Sequence, residues 1–70
     1  MQWQEVNSGA IKAVGYDPES STLGVHFTNG GIFNYSGVSQ EGFDKLLRAE
    51  SIGKHFHANI KPKFQATKIS

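Results

Sequence analysis

Apolar residues recur along this 70-residue chain at two spacings. In "AIKAVGY" (10–16), "TLGVHFT" (22–28) and "IFNY" (32–35) they alternate with polar or small residues, the two-residue period of a half-buried strand. Beyond Ser36 the period lengthens: Phe43, Leu46 and Leu47, then Ile52, Phe56 and Ile60, recur at the three- and four-residue steps of a helix with one apolar stripe. Strands come first and helices last, which predicts an α+β domain with the helices laid on one face of an antiparallel meander.

The connections set the register. "DPESS" opens with Asp17-Pro18, turn chemistry in which proline presets φ at the second position. "NGG" is read as a three-residue loop, Asn29-Gly30-Gly31, with Gly31 at positive φ. That reading puts Phe27 opposite Phe33 and Val25 opposite Tyr35, and collects Leu23, Val25, Phe27, Phe33 and Tyr35 on one face. Gly24, His26, Thr28, Ile32 and Asn34 take the other. A two-residue loop at Asn29-Gly30 would scatter the apolar side chains. In the first strand Ile11 and Val14 have opposite parity, so both reach the core only across a bulge at Lys12 or Ala13.

Both helices carry start signals. Ser39 is an N-cap with Val38 before it positioned to pack on Phe43, and Glu41 suits the positive end of the helix dipole. Ser51 is a second N-cap, and Lys61 before Pro62 ends the regular stretch because the residue preceding proline is pushed out of the helical region. The expected core covers about residues 6–64 of a single domain spanning 1–70. "KFQATKIS" forms a short edge strand or a tail, with Phe64 partly docked. The sheet is therefore expected to hold three or four strands, with two short helices packed on one face. Trp3 falls outside these elements, where it covers a sheet edge or meets a partner.

A chain this short buries only about 60% of the surface its unfolded form exposes. It contains no cysteine, so disulfides and thiolate metal sites cannot reinforce it, and a cytoplasmic location is the simplest reading. Eight aromatic residues and self-association into a homo-oligomer are the remaining means of hiding apolar surface. No apolar run approaches the ~20 residues of a membrane span, and the N-terminal sequence lacks the basic start and apolar stretch of a secretion signal. No membrane partner is expected. Net charge is +1, unevenly placed: residues 1–53 carry −3, and residues 54–70, with Lys54, Lys61, Lys63 and Lys68, carry +4. A basic end suits an anionic partner or a solvated tail.

Candidate chemistry concentrates in "SIGKHFHANI" (51–60). On a helix His55 and His57 point about 200° apart, so they cannot grip one metal together, and no metal or cofactor is expected. An acid/base ribonuclease would need two histidines around one phosphate with a cation beside them; His26, His57 and Lys54 supply the types, but nothing in the pattern brings them together. No catalytic residues are assigned. Phosphate binding asks for less: free amides behind the Ser51 cap, Gly53 for close approach and Lys54 for charge. Ordinary helix capping accounts for the same residues. Phe33 and Tyr35 have the spacing of base-stacking aromatics on a sheet, yet the register makes them core, with the Tyr35 hydroxyl at the rim.

Three stretches together resemble the KTSC domain, a small module named for its place at the C-terminus of some lysyl-tRNA synthetases. They are "SGAIKAVGYDPESSTLGVHF", "FNY" after "NGG", and "AESIGKHFHANIK", in which Ala49, Ser51, Gly53, Phe56, Ile60 and Lys61 fit "A-x-S-x-G-x-x-F-x-x-x-I-K". One departure is Phe33, where the family typically has tyrosine. The resemblance implies a free-standing copy, as found in bacteria and their phages, with RNA binding as the family's suggested role. For a phage-encoded copy it also fits a sponge that sequesters cyclic nucleotide immune signals in the host cytoplasm. The expected function is non-enzymatic binding of a phosphate-bearing nucleotide or RNA. Ser51, Gly53 and Lys54 form the anion cradle, His57 and Lys61 flank it, and Asn34 and Tyr35 contact bases. A protein-binding domain and a weak histidine-dependent ribonuclease are the alternatives.

Overall fold

The computed structural model describes residues 1–6 and 8–70. Five antiparallel strands lie side by side in chain order: β1 (Gln2–Glu5), β2 (Ile11–Asp17), β3 (Thr22–Phe27), β4 (Ile32–Ser36) and β5 (Ala66–Lys68). Between β4 and β5 the chain leaves the sheet to form α1 (Gln40–Arg48) and the single turn α2 (Ile52–His55), which continues as a π-helical turn over Phe56–Ile60. The α+β class and the helix pair follow the sequence pattern; the strand count is one to two higher. β5 is the edge-strand outcome for the C-terminal stretch. β1 has no apolar alternation to announce it, since all four of its residues are exposed and only Trp3 is apolar. Trp3 is thus a strand residue, paired with Gly15 of β2.

The β3–β4 hairpin corrects the expected register by two residues while keeping its faces. Phe27 N–H donates to the Gly31 carbonyl (2.8 Å), and Gly30 N–H donates to the Phe27 carbonyl (3.0 Å), so the loop is Thr28-Asn29-Gly30. Gly30, not Gly31, takes the left-handed conformation, at φ +97. Asn29 Oδ1 accepts from Gly31 N–H at 2.9 Å, closing the turn from inside and favouring this placement. Val25 therefore opposes Phe33 and Leu23 opposes Tyr35. A two-residue slide preserves side-chain parity, which is why the expected apolar face survives. The bulge lies at Lys12: Ile11 pairs with Phe27, Ala13 with His26, and both Ile11 and Val14 are fully buried.

The helices cover one face. Ile11, Val14, Tyr16, Leu23, Val25 and Tyr35 of the sheet close on Val38, Leu46, Phe56 and Ile60. The Tyr16 hydroxyl donates to the Val38 carbonyl at 2.6 Å and its ring stacks on Phe43, 5.1 Å between centroids, which ties β2 to the start of α1. Ser39 caps α1 by accepting from Gly42 N–H at 3.0 Å. The other face carries the row Trp3, Gly15, Gly24, Asn34, Thr67. The Trp3 indole and the Met1 side chain lie over Gly24, where a Cβ would fall 2.7 Å from Trp3 Cη2 and 2.6 Å from Met1 Sδ, and Met1 also covers Gly15. Glycine at 24 lets these two side chains lie flat on the sheet, and a larger residue there would push them outward.

A candidate nucleotide groove

The strands and the π turn leave an open groove of about 620 Å³ on the helix side of β4. Its walls are Phe27, Phe33 and Phe64, with Tyr35 at its floor and His57 and Lys61 on the helical side. Phe56 is the buried support: its ring meets Phe27 edge-on at 5.6 Å, Tyr35 at 5.2 Å and the His57 imidazole at 5.4 Å. Phe27 and Phe33, diagonal neighbours after the register correction, still meet edge-to-face at 5.7 Å. Both β4 aromatics belong to the core as the register implied, Tyr35 at 4% exposure and Phe33 half-buried against it. Phe33 sits nearer the hairpin tip, beyond the cover that Phe56 gives to Tyr35.

Two features of this groove are chemical. Among the described residues no side chain or backbone group hydrogen-bonds the Tyr35 hydroxyl, and no side-chain polar atom sealed from water lacks a partner. The hydroxyl therefore opens into the groove that Tyr35 lines. Burial raises its pKa above the usual tyrosine value, so at neutral pH it is a neutral O–H able to donate. The second feature is the helical turn. Lys61 N–H reaches back five residues to the Phe56 carbonyl at 2.9 Å, and Pro62 has no N–H to continue the ladder. Such π turns occur mostly as single insertions, often at functional sites. Here the turn carries His57 and Lys61, both exposed, past the aromatic wall.

The residues expected to form one site occupy three places. His57, Lys61 and Tyr35 line the groove. Ser51, Gly53 and Lys54 stand at the start of α2 and do not: Ser51 Oγ accepts from Lys54 N–H at 3.4 Å, and the Ser51 carbonyl accepts from His55 N–H at 3.0 Å. A Cβ on Gly53 would lie 3.1 Å from Ser8 Oγ, so glycine here admits the 8–10 segment. Asn34, adjacent to Tyr35 in the strand, faces the opposite side of the sheet in the Trp3 row, so the two cannot touch one base. His26 also faces away from the helices, across from Ile32, and the sheet separates it from His57. Among the described residues no three His, Asp or Glu side chains gather to hold a metal.

Residues 7–64 match the model of the KTSC domain. The chain belongs to that family. A KTSC domain protein from Yersinia pestis has a crystal structure that superposes with a TM-score of 0.95 at 36% identity, covering 99% of this chain and 97% of that one. A protein of Tsukamurella paurometabola is 44% identical over 66 residues, 94% of this chain and 98% of its own length. A lysine–tRNA ligase of Nostoc sp. is 37% identical over 60 residues, 86% of this chain but only 11% of the ligase.

Within this KTSC domain the sequence pattern missed Phe27 and Phe64 as groove walls, and Asn29 and Ala66 as rim residues. Phe27 and Phe64 had signals, being aromatic residues near breaks in the regular pattern. Ala66 had none, because its place depends on β5 returning beside β4.

Proposed function

We propose that this KTSC domain is a non-enzymatic binding module for a phosphate-bearing nucleotide ligand, seated in the groove between β4 and the π turn. The observation that carries the proposal is Tyr35: a side chain more than nine-tenths buried whose hydroxyl has no partner among the described residues and opens into an aromatic-walled groove with two basic groups beside it. Aromatic faces suit a base, a neutral O–H suits a base or sugar oxygen, and Lys61 with His57 suits a phosphate. The groove falls within the ~300–1,000 Å³ range of small-molecule sites. Binding without catalysis is favoured because the groove holds one histidine and no carboxylate. Ser51, Gly53 and Lys54 serve the start of α2 in this reading, and Asn34 lies outside the site.

In this reading the ligand is a diffusible cyclic nucleotide, sequestered and returned unaltered when the protein is denatured, which suits a relative of nearly this length such as the Tsukamurella protein. Self-association belongs to the same reading, and the half-exposed Met1 and Trp3 on the uncovered face are apolar surface available for it. RNA binding is the second reading, favoured by the relatives that form part of lysine–tRNA ligases. The test is a thermal-shift screen against cyclic dinucleotides, cyclic trinucleotides and short RNAs. Ligand at a hundred times its Kd stabilises the fold by about 2.7 kcal/mol, a rise of roughly 10–20 °C in a domain of this size. Recovery of the ligand intact supports sequestration, and a steep loss of affinity with salt supports RNA. No shift with any member of the screen overturns the proposal.

A further inference from the structure

The groove has two aromatic ends and a polar middle. At one end Phe33 and Phe27 stand near the hairpin tip, with their rings 5.7 Å apart. At the other, Phe64 reaches the end of β4, where its Cδ1 lies 3.9 Å from the position a Cβ on Gly37 would take. Phe33 and Gly37 are four residues apart along the chain, and at ~3.4 Å per strand residue their backbones lie roughly 14 Å apart. The chain from Phe56, beside Phe27 and Tyr35, to Phe64, beside Gly37, carries His57 and Lys61 between those ends. Tyr35 comes midway along β4, between Phe33 and Gly37. The order is therefore aromatic, then hydroxyl with two basic groups, then aromatic.

From this we infer that the groove is built for a two-base ligand: two nucleosides joined by a phosphodiester, one base at the Phe33 end, the other at Phe64, and the bridging phosphate against Lys61 and His57. The inference rests on the nucleotide reading and narrows it. A seat made only for phosphate would prefer the ligand with most charge. A mononucleotide carries about −1.5 to −2 at neutral pH, like other phosphate monoesters, whereas a dinucleoside monophosphate carries a single charge and a second base. The two ligand types thus rank oppositely under the two explanations. A linear step within RNA and a closed cyclic dinucleotide share this chemistry.

The experiment is calorimetric titration of the intact chain with four mononucleotides (AMP, GMP, CMP, UMP), the matched dinucleoside monophosphates (ApA, GpG, CpC, UpU), and cyclic di-AMP and cyclic di-GMP. At least one two-base ligand is expected to bind tenfold or more tighter than its mononucleotide. Phe64→Ala is expected to erase that advantage, bringing the two-base ligand to the affinity of its mononucleotide, with circular dichroism reporting the fold; Phe64→Leu keeps the packing and removes only the flat ring. A tighter cyclic ligand identifies a diffusible messenger, and a tighter linear one identifies an RNA step. Mononucleotides binding as tightly as every two-base ligand overturns the inference and leaves nucleotide binding standing. No binding by any probe here overturns the two-base inference, and together with no shift in the thermal screen it overturns nucleotide binding itself.

Discussion

The start of α2 and the groove beyond its end are both basic and both fall in "SIGKHFHANIK", but they are different kinds of surface. At the start, Ser51 meets the helix's own needs: its hydroxyl caps Lys54 N–H, its carbonyl holds His55 N–H, and Gly53 lets Ser8 pack close. One helical turn offers few aligned peptide dipoles, so little attraction for an anion accumulates there. At the far end the chain widens into a π turn, and His57 and Lys61 stand beside aromatic walls and a hydroxyl that has no partner among the described residues. The Ile52 and Gly53 N–H groups have no acceptor among the described residues, but neither residue lines the groove; there the open hydroxyl stands with aromatic walls able to hold a base.

The largest test removes the ring that supports the groove. Phe56→Ala takes away a fully buried ring that touches Phe27, Tyr35 and His57, with an expected loss of about 3–5 kcal/mol. Small domains have about 5–15 kcal/mol in all, so urea denaturation followed by Trp3 fluorescence should show a chain largely unfolded or close to it. A cost under 1 kcal/mol would mean the groove has no such support. Next in size is the contrast between cations. Lys61→Ala with His57→Ala is expected to weaken the best ligand of the screen roughly 10- to 100-fold, the loss of one charge-assisted contact or more. Lys54→Ala should change affinity less than twofold, as read by calorimetry. The reverse ranking would return the site to the α2 start.

Ser51→Ala sharpens the comparison from the other side. Loss of the cap should cost about 1 kcal/mol in stability, with nucleotide affinity unchanged once the protein is folded. An affinity loss beyond threefold at intact fold would show that Ser51 holds ligand. The smallest effect concerns Tyr35. Its folded pKa is raised by burial, so the folded state keeps a proton that the unfolded chain releases above about pH 10. Stability from this group is fully present below pH 10 and falls as pH rises through the higher folded value. Tyr35→Phe should flatten that alkaline decline in melting temperature relative to the parent chain. It should also weaken ligand binding severalfold at neutral pH, since one neutral hydrogen bond is worth about 0.5–1.5 kcal/mol.

Much of the fold was legible because its signals are local. Alternation in 10–16, 22–28 and 32–35 marks β2, β3 and β4, and the parity clash of Ile11 and Val14 located the bulge within a residue. Ser39 and Ser51 both cap where side-chain chemistry placed them. β1 was illegible because an exposed edge strand needs no apolar period, and β5 was ambiguous for the same reason. The hairpin loop was right in length but one residue out, because two adjacent glycines offer the same freedom and only the Asn29 side chain chooses between them. Of the candidate site, His57, Lys61 and Tyr35 meet in one groove, while Asn34 departs by strand parity and Ser51, Gly53 and Lys54 by a turn of helix.

Spacing, turn chemistry and caps, read along the chain, determined the α+β class, the apolar face of the sheet and the start of each helix, because each depends on residues no more than a few positions apart. Which groups remain without partners was decided only in three dimensions. Tyr35 and Phe64 are 29 residues apart in the chain; they share a groove because β5 returns to β4 after two helices, and no local pattern records a closure of that length. Hydrogen-bond satisfaction is a property of the whole packed chain, and the proposed site is the place where that packing leaves the hydroxyl of a mostly buried tyrosine open to the groove.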